Sequence, residues 1–378
     1  MKILVPDVQS RKAFDIVNIL QRVHGYELLL FSPPKKTMLL RAVYGQKVHR
    51  LSTHDYESFE SDFLSAIEED GGNLYIWMAV SEESTLYFYE LIDNLPDVPV
   101  RSLLPHRSMF EIARNKLAFQ AFCDEKGFPV PKSYVAGDRK VLERDFHPLI
   151  VKKCVGEGSV GMKYVEGPQE LALLDEINPH DYLIQEKIES GRNIHGIFCL
   201  ANEGEVVSWY GHERLRTFPE KGGVTVFSRA QYDDELKEIA SRVLREMKWS
   251  GFAMLEFLRN DATSEWKIIE LNPRLWGSVM LSEFCGANLL SNYVKLLTRE
   301  SPASEKAIPD RYIRWIFPFE LINLIKRNIS LGEFVNREGK ATCYINFTYS
   351  GFLRAFVFQA YFLLNRRSIS RFFKKLKS

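Results

Sequence analysis

A mixed α/β and α+β fold is predicted by three observations on this 378-residue chain. An apolar strand (KILV), an amphipathic helix (KAFDIVNILQRVHG) and a second apolar strand (YELLLFSP) open it in the order that builds a parallel sheet. A strand (PLIVKK), a glycine-rich loop (GEGSVG), a strand (MKYV), a helix (PQELALLDEI) and a strand (YLIQEKI) then describe a small lid-like unit. Two apolar strands, GFAMLEFLRN and WKIIELNPR, flank the polar turn DATSE and read as a hairpin.

The remaining elements fall between these landmarks. Strand-like NLYIWMAV and helix-like STLYFYELIDNL precede a turn-rich break near Pro96 and Pro99. From about Pro105 one long helical pattern, RSMFEIARNKLAFQAFCDEKG, runs to a stop made by Gly127, Pro129 and Pro131. Proline at the first turn opens PQELALLDEI, where its missing N–H costs nothing. Beyond the lid-like unit come NIHGIFCL and EVVSWYGHERLR joined by ANEGE, a loop with paired glycines (PEKGG) and an amphipathic helix (DDELKEIASRVLREMKW). These shifts divide the chain into an N-terminal α/β domain at 1–105, a central domain at 106–300 with its lid at about 120–187, and a C-terminal extension at 301–378.

With 46% hydrophobic residues the chain can bury a proper core, which excludes a disordered or fibrous class. Fifty basic residues against 49 acidic ones leave no whole-chain field for a polyanion, so no nucleic-acid partner is expected. Five scattered cysteines (Cys123, Cys154, Cys199, Cys285, Cys343) form no CxxC pair or zinc spacing, which fits a reduced, cytoplasmic location. The N-terminus lacks the apolar stretch of a secretion signal, so the mature chain is expected to start at Met1. No GxGxxG follows the first strand, and dinucleotide binding is unsupported there.

The chemistry concentrates on the hairpin. A turn centred on Thr263 sets Glu256 opposite Glu270, and directly opposed side chains share a face with Cβ atoms roughly 5 Å apart. Asn272, two residues on, points to the same face, and Arg274 alternates there too. Two adjacent carboxylates in apolar strands repel each other and resist desolvation unless a cation or a shared proton compensates. Solvated glutamates paired with lysines are the alternative, but AMLEFL and IIELN leave few exposed positions. Oxygen-only ligands from Glu256, Glu270 and Asn272 suit Mg2+, with Mn2+ as the alternative. Arg274 is placed to hold a phosphate. Lys152, at the end of PLIVK and just before GEGSVG, adds a point charge beside a loop whose N–H groups can approach anionic oxygens. This is not a Walker loop, since no GK[ST] follows.

Read in order, ARNKLAFQAFCDEKGFPVPKSY, PLIVKKCVGEGSVGMKYV, LIQEKIESGRNIHG, GFAMLEF and IIELNPRLWGSVML resemble the ATP-grasp superfamily, in its carboxylate-amine ligase branch, over roughly residues 106–295. The resemblance implies a pre-ATP-grasp parallel-sheet domain, an ATP-grasp lid and a C-terminal ATP-grasp subdomain. It implies ATP bound between two α+β subdomains beneath the glycine loop at Gly156, Gly158, Ser159 and Gly161. Lys116 and Lys152 match the phosphate-neutralising lysines, and Gln185, Glu186, Lys187 and Ile188 match the segment whose backbone recognises adenine. Glu256, Glu270 and Asn272 match the magnesium ligands, and Arg274 matches the arginine that stabilises the transferred phosphoryl group. Asn193 stands where many members carry a ribose-binding glutamate, and Lys153 where many carry proline. The implied activity is ATP-dependent joining of a carboxylate to an amine or similar nucleophile through an acyl phosphate. Binding without turnover and phosphoryl transfer to a hydroxyl are the alternatives.

On the substrate side, GHERLRTFPEKGG carries His212, Arg214, Arg216 and Lys221. Arg214 and Arg216 alternate onto one strand face, which suits either a substrate carboxylate or phosphate, or a salt-bridged surface. The C-terminal stretch GFLRAFVFQAYFLLNRRSISRFFKKLKS turns from apolar to basic with Arg366, Arg367, Arg371, Lys374, Lys375 and Lys377. It falls short of the roughly 20 apolar residues of a spanning helix. A helix docked on the body, peripheral contact with the anionic inner face of a membrane, and RNA binding are its three readings, the last the least favoured. A homodimer is compatible with the sequence.

Overall fold

The computed structural model describes residues 1–134, 139–156, 162–190, 194–218, 224–303, 308–335 and 342–364. Three sheets carry it. The first alternates β1 (Lys2–Val5), α1 (Arg11–Asn18), β2 (Leu28–Ser32), α2 (Thr37–Tyr44), β3 (Val48–Arg50), α3 (Tyr56–Asp70), β4 (Tyr75–Trp77), α4 (Glu82–Asn94) and β5 (Val100–Arg101). Its strands are all parallel in the order β3-β2-β1-β4-β5, the α/β sheet that the opening strand, helix and strand predict. Ser10, Asp55 and Ser81 cap α1, α3 and α4 by accepting a hydrogen bond from the first-turn backbone.

The single long helix expected from Pro105 is two helices, α5 (Arg107–Arg114) and α6 (Lys116–Glu125). Asn115 leaves helical geometry (φ −101°, ψ 108°), and its side-chain oxygen accepts from the N–H groups of Leu117 and Ala118. The apolar period runs on through a residue that caps the second helix, which puts Lys116 at its first position.

The lid-like unit is a four-stranded antiparallel sheet, β6-β9-β7-β8, built from β6 (Ser133–Tyr134), β7 (Leu149–Lys153), β8 (Lys163–Val165) and β9 (Tyr182–Glu186), with α7 (Arg139–Arg144) before β7. Residues Pro168–Glu176, expected as an α-helix, form a 3-10 helix.

The third sheet has seven strands. β10 (His195–Asn202), β11 (Glu205–Phe218), β12 (Val224–Ala230), β13 (Gly251–Arg259) and β14 (Trp266–Asn272) are antiparallel neighbours in the order β14-β13-β10-β11-β12, with α8 (Asp234–Glu246) packed on one face. After α9 (Met280–Phe284) and α10 (Leu289–Thr298), β15 (Tyr312–Arg314) extends this sheet, followed by α11 (Leu321–Ile325) and α12 (Leu331–Val335). β16 (Thr342–Tyr344) pairs parallel to β15, and α13 (Phe352–Leu364) ends the described chain.

One apolar cluster joins the first and third sheets. Ile3, Phe14 and Ile76 share it with Phe198, Tyr210, Phe252, Trp276, Tyr293 and Phe358. Gly251 is part of that closure: its φ is +93°, and a Cβ there would lie 2.3 Å from the carbonyl oxygen of Leu103.

The C-terminal helix is docked on the body, and a buried polar tie holds it. Asn346 donates from its backbone N–H to Asp15 Oδ1 (3.0 Å) and from its side chain to Asp15 Oδ2 (2.9 Å). Burial pushes the Asp15 carboxyl up to about 8, against the lowering effect of these donors and of Arg11. The native state thus keeps a proton that the unfolded chain releases near pH 4. The stability contributed by that proton is full below about pH 4 and is lost as pH rises through about 8, at a slope of up to about 1.4 kcal/mol per pH unit. Asp15→Asn is expected to flatten this slope in urea titrations made across that range; an unchanged profile would contradict the assignment.

Candidate active site

The site lies where β7, the start of α6 and the ends of β13 and β14 converge. Glu256 and Glu270 are register partners, as the hairpin predicts, but the route differs. Arg259 pairs with Trp266 and Phe257 with Ile268, so a turn symmetrical about Thr263 is not what forms. A bulge at Ile269 advances β14 by one residue and brings Glu270, rather than Ile269, opposite Glu256.

Across the sheet one row reads His212 (β11), Gly196 (β10), Glu256 (β13) and Glu270 (β14). Opposed residues share a face, so the imidazole and both carboxylates stand on one side, with a glycine leaving space between His212 and Glu256. A Cβ at position 196 would come within 3.1 Å of the His212 ring.

The lysines reach the same place. Lys116 Nζ lies 3.4 Å from Glu270 Oε2 and donates to the carbonyl oxygen of Gly156 (3.0 Å), the last described residue before the glycine-rich loop. Lys152 Nζ donates to Gln185 Oε1 (2.9 Å), and Gln185 donates in turn to Gln120 Oε1 (2.6 Å). Burial lowers the Lys152 pKa, while the nearby Glu270 carboxylate opposes that shift.

Arg214 donates to Glu256 Oε1. Asn272 Nδ2 donates to Glu270 Oε1 (3.0 Å), and Arg274 Nη2 donates to Asn272 Oδ1 (3.1 Å). Burial pushes the Glu256 carboxyl up to about 7, opposed by Arg214 and reinforced by Glu270. Burial penalises the Glu270 carboxylate as well, but Lys116, Asn272, Lys152 and Arg214 outweigh it and hold Glu270 at about 2. Two carboxylates that split in this way share one proton, which a divalent cation can replace. The donor set, two carboxylates and an amide oxygen with a lone pair to spare, fits a hard cation. Among the described residues no three His, Cys, Asp or Glu side chains cluster, so phosphate oxygens and water must complete any octahedral shell.

Arg214 and Arg216 do not act as a matched pair. A register shift separates them on β11, and Arg216 donates to Glu320 Oε1 (2.9 Å) while its guanidinium stacks over Phe227. Glu320, fully buried, also accepts from Arg314 (2.9 Å), so Arg216 belongs to a buried ion triad with the C-terminal extension. His212 is buried and held neutral by desolvation, with Arg214 lowering its pKa further. Among the described residues its Nε2 and the Nε of Arg214 are buried without a hydrogen-bond partner, two polar atoms on or beside the row that holds Glu256.

Glu186 Oε1 accepts from the N–H of Lys132 (2.9 Å), and Lys187 pairs with Glu166 (2.7 Å) beyond the buried Gln185; Ile188 is buried. Gly158, Ser159, Gly161, Asn193 and Lys221 lie outside the described residues. The sequence reading missed Glu82, at the first turn of α4. Its Oε1 lies 3.3 Å from Arg274 Nε and its Oε2 3.3 Å from Arg114 Nε, which ties the N-terminal sheet to the site. An acidic residue in a first helical turn is ordinary, so nothing local marked it.

Residues 113–278 match the model of the ATP-grasp domain family. Acetyl-CoA carboxylase 2 of Oryza sativa subsp. japonica is 26% identical over 139 residues, a stretch covering 34% of this chain and 6% of that protein, so only a small part of that relative is spanned. Three solved structures share the fold. The biotin carboxylase of Campylobacter jejuni, in complex with β,γ-ATP, has a TM-score of 0.63 at 14% identity, covering 82% of this chain and 74% of that one. The biotin carboxylase domain of Hydrogenobacter thermophilus 2-oxoglutarate carboxylase, with MgADP, ADP and bicarbonate, has a TM-score of 0.62 at 12% identity, covering 82% and 73%. The N5-carboxyaminoimidazole ribonucleotide synthetase of Thermus thermophilus has a TM-score of 0.60 at 15% identity, covering 82% and 81%. The paired glutamates, the two lysines and the glycine-rich loop thus fall within one matched segment, and residues 113–278 of this chain are an ATP-grasp domain.

Proposed function

We propose that the protein is an ATP-dependent ligase that activates a small-molecule carboxylate as an acyl phosphate and joins it to an amine or similar nucleophile, releasing ADP and phosphate. The observation that carries this reading is the opposed Glu256–Glu270 pair ringed by Lys116, Lys152, Arg214 and Arg274. Two carboxylates, one buried and one partly exposed, kept together among four basic groups suit magnesium-nucleotide chemistry. The MgADP and bicarbonate of the 2-oxoglutarate carboxylase domain support the same nucleotide, metal and substrate class. In this reading 1–105 is the pre-ATP-grasp domain, 106–300 the ATP-grasp domain with its lid at about 120–187, and 301–378 an extension.

Each side chain then has a task. Glu256, Glu270 and Asn272 would hold Mg2+, which when bound would supply charge neutralisation to the phosphates. Lys116 and Lys152 would face the phosphates, next to Gly156, whose carbonyl oxygen accepts from Lys116. Gln185 to Ile188 would line the nucleotide between lid and body. A substrate carboxylate oxygen attacks the γ-phosphorus, the bond to ADP breaks, and Arg274 stabilises the moving phosphoryl group. The amine then attacks the acyl carbon, loses its proton, and expels phosphate. Arg214 Nε and His212 Nε2, which lack a hydrogen-bond partner among the described residues, would bind the substrate, and Lys221 follows them in sequence.

The test offers the protein Mg-ATP with pools of carboxylates and amines and measures ADP and phosphate, followed by mass spectrometry of the product. ADP and phosphate that depend on both pools are expected. A stable phosphorylated product would make it a kinase. Tight ATP binding without ADP in any pool would make it a nucleotide-binding regulator.

A further inference from the structure

The near-neutral whole chain hides a strong segregation of charge. Residues 28–54 and 340–378 contain no Asp or Glu, yet hold thirteen Lys and Arg, five in the first segment and eight in the second. The fold brings α2 and α13, one from each segment, into direct contact. Arg354 on α13 donates to the carbonyl oxygens of Val43 (3.2 Å) and Tyr44 (2.6 Å) at the end of α2. Phe358 stacks on Phe14 with ring centroids 4.1 Å apart, and Ala355 and Tyr361 are buried beside it.

The other face of these packed helices is apolar and open. Phe352, Leu353 and Phe356 on α13 are 80%, 76% and 61% exposed, and Met38 and Leu39 on α2 are 81% and 57% exposed. One exposed leucine needs no explanation, but five large apolar side chains on two adjoining helices do. Basic groups accompany them. Lys35 and Arg41 are exposed on and just before α2, and the chain continues beyond Leu364 with six Lys and Arg in fourteen residues. Lys47 and Arg50 are discounted, since Glu69 and Asp62 of α3 pair with them.

We propose that the α2–α13 face docks on an anionic lipid surface. The apolar side chains enter the boundary between headgroups and acyl chains while the lysines and arginines lie at lipid phosphates, a division of labour that an interfacial helix pair meets without crossing the bilayer. Among the described residues no helix is long and apolar enough to cross. A nucleic acid would use the charge but leave Met38, Leu39 and Leu353 in water. A second copy would press two basic faces together. The inference is independent of the ligase reading.

The full chain should co-sediment with vesicles of equal phosphatidylcholine and phosphatidylglycerol at least about tenfold better than with phosphatidylcholine alone, and less well in high salt. The triple variant Phe352→Ser, Leu353→Ser, Phe356→Ser should lose at least about tenfold of that binding while melting like the wild type, because the three side chains are exposed. Lys35→Glu with Arg41→Glu should weaken binding to the anionic vesicles alone. Equal retention of the triple variant, equal binding to both vesicle types, preference for a single-stranded RNA over vesicles, or a dimer that the triple variant breaks without any vesicle binding would each overturn the proposal.

Discussion

Glu270→Gln is expected to lower ATP-dependent turnover by at least about a thousandfold without unfolding the protein. The substitution keeps the shape of the side chain and removes the one charge that Lys116, Asn272, Lys152 and Arg214 jointly stabilise. A neutral amide binds Mg2+ poorly and leaves Glu256 as the remaining carboxylate beside Lys152. The fold should survive, because relief of the repulsion that Glu270 exerts on Glu256 offsets part of the attraction lost to the lysines. Steady-state release of ADP, Mg-ATP titration calorimetry and a thermal melt separate the effects. Turnover within tenfold of wild type would remove the metal assignment.

Glu82→Gln should reduce kcat by about 10- to 100-fold and change the KM for ATP by less than about threefold. Glu82 lies in the N-terminal unit and contacts Arg274, so in the proposed mechanism its loss weakens one of the contacts that position the guanidinium beside Asn272. The effect should be strongly non-additive with Arg274→Lys, with a coupling of about 1–2 kcal/mol in the double-mutant cycle. Additive losses would show that Glu82 merely supports the fold. Glu82→Asp, which keeps the charge on a shorter arm, should recover part of the rate.

Much of this was legible in sequence, and the reasons for the rest are physical. The parallel sheet, the lid strands and the β13–β14 hairpin are carried by apolar runs whose period and spacing are local. The bulge at Ile269 was not, because an extra residue in one strand leaves the hydrophobic pattern of a short strand almost unchanged. Asn115 was a readable cap hidden by an unbroken apolar stripe. Arg216 looked like a substrate residue because its partner, Glu320, lies 104 positions away and no local pattern announces it. β15 and β16, three residues each, are too short to show a period, yet they extend the large sheet and carry Arg314 to that same partner.

The apolar cluster that joins the first and third sheets limits how the protein can be cut. A fragment trimmed to residues 113–278, the segment matched by the family model, would lose Ile3, Phe14 and Ile76 from around Phe198, Phe252 and Trp276. It would also lose Tyr293, whose hydroxyl donates to the carbonyl oxygen of Trp77 (2.7 Å) and accepts from the N–H of Leu103 (3.1 Å). With that surface laid bare to water, such an expression product should come out aggregated, and a soluble catalytic piece has to carry the N-terminal sheet and α10 with it.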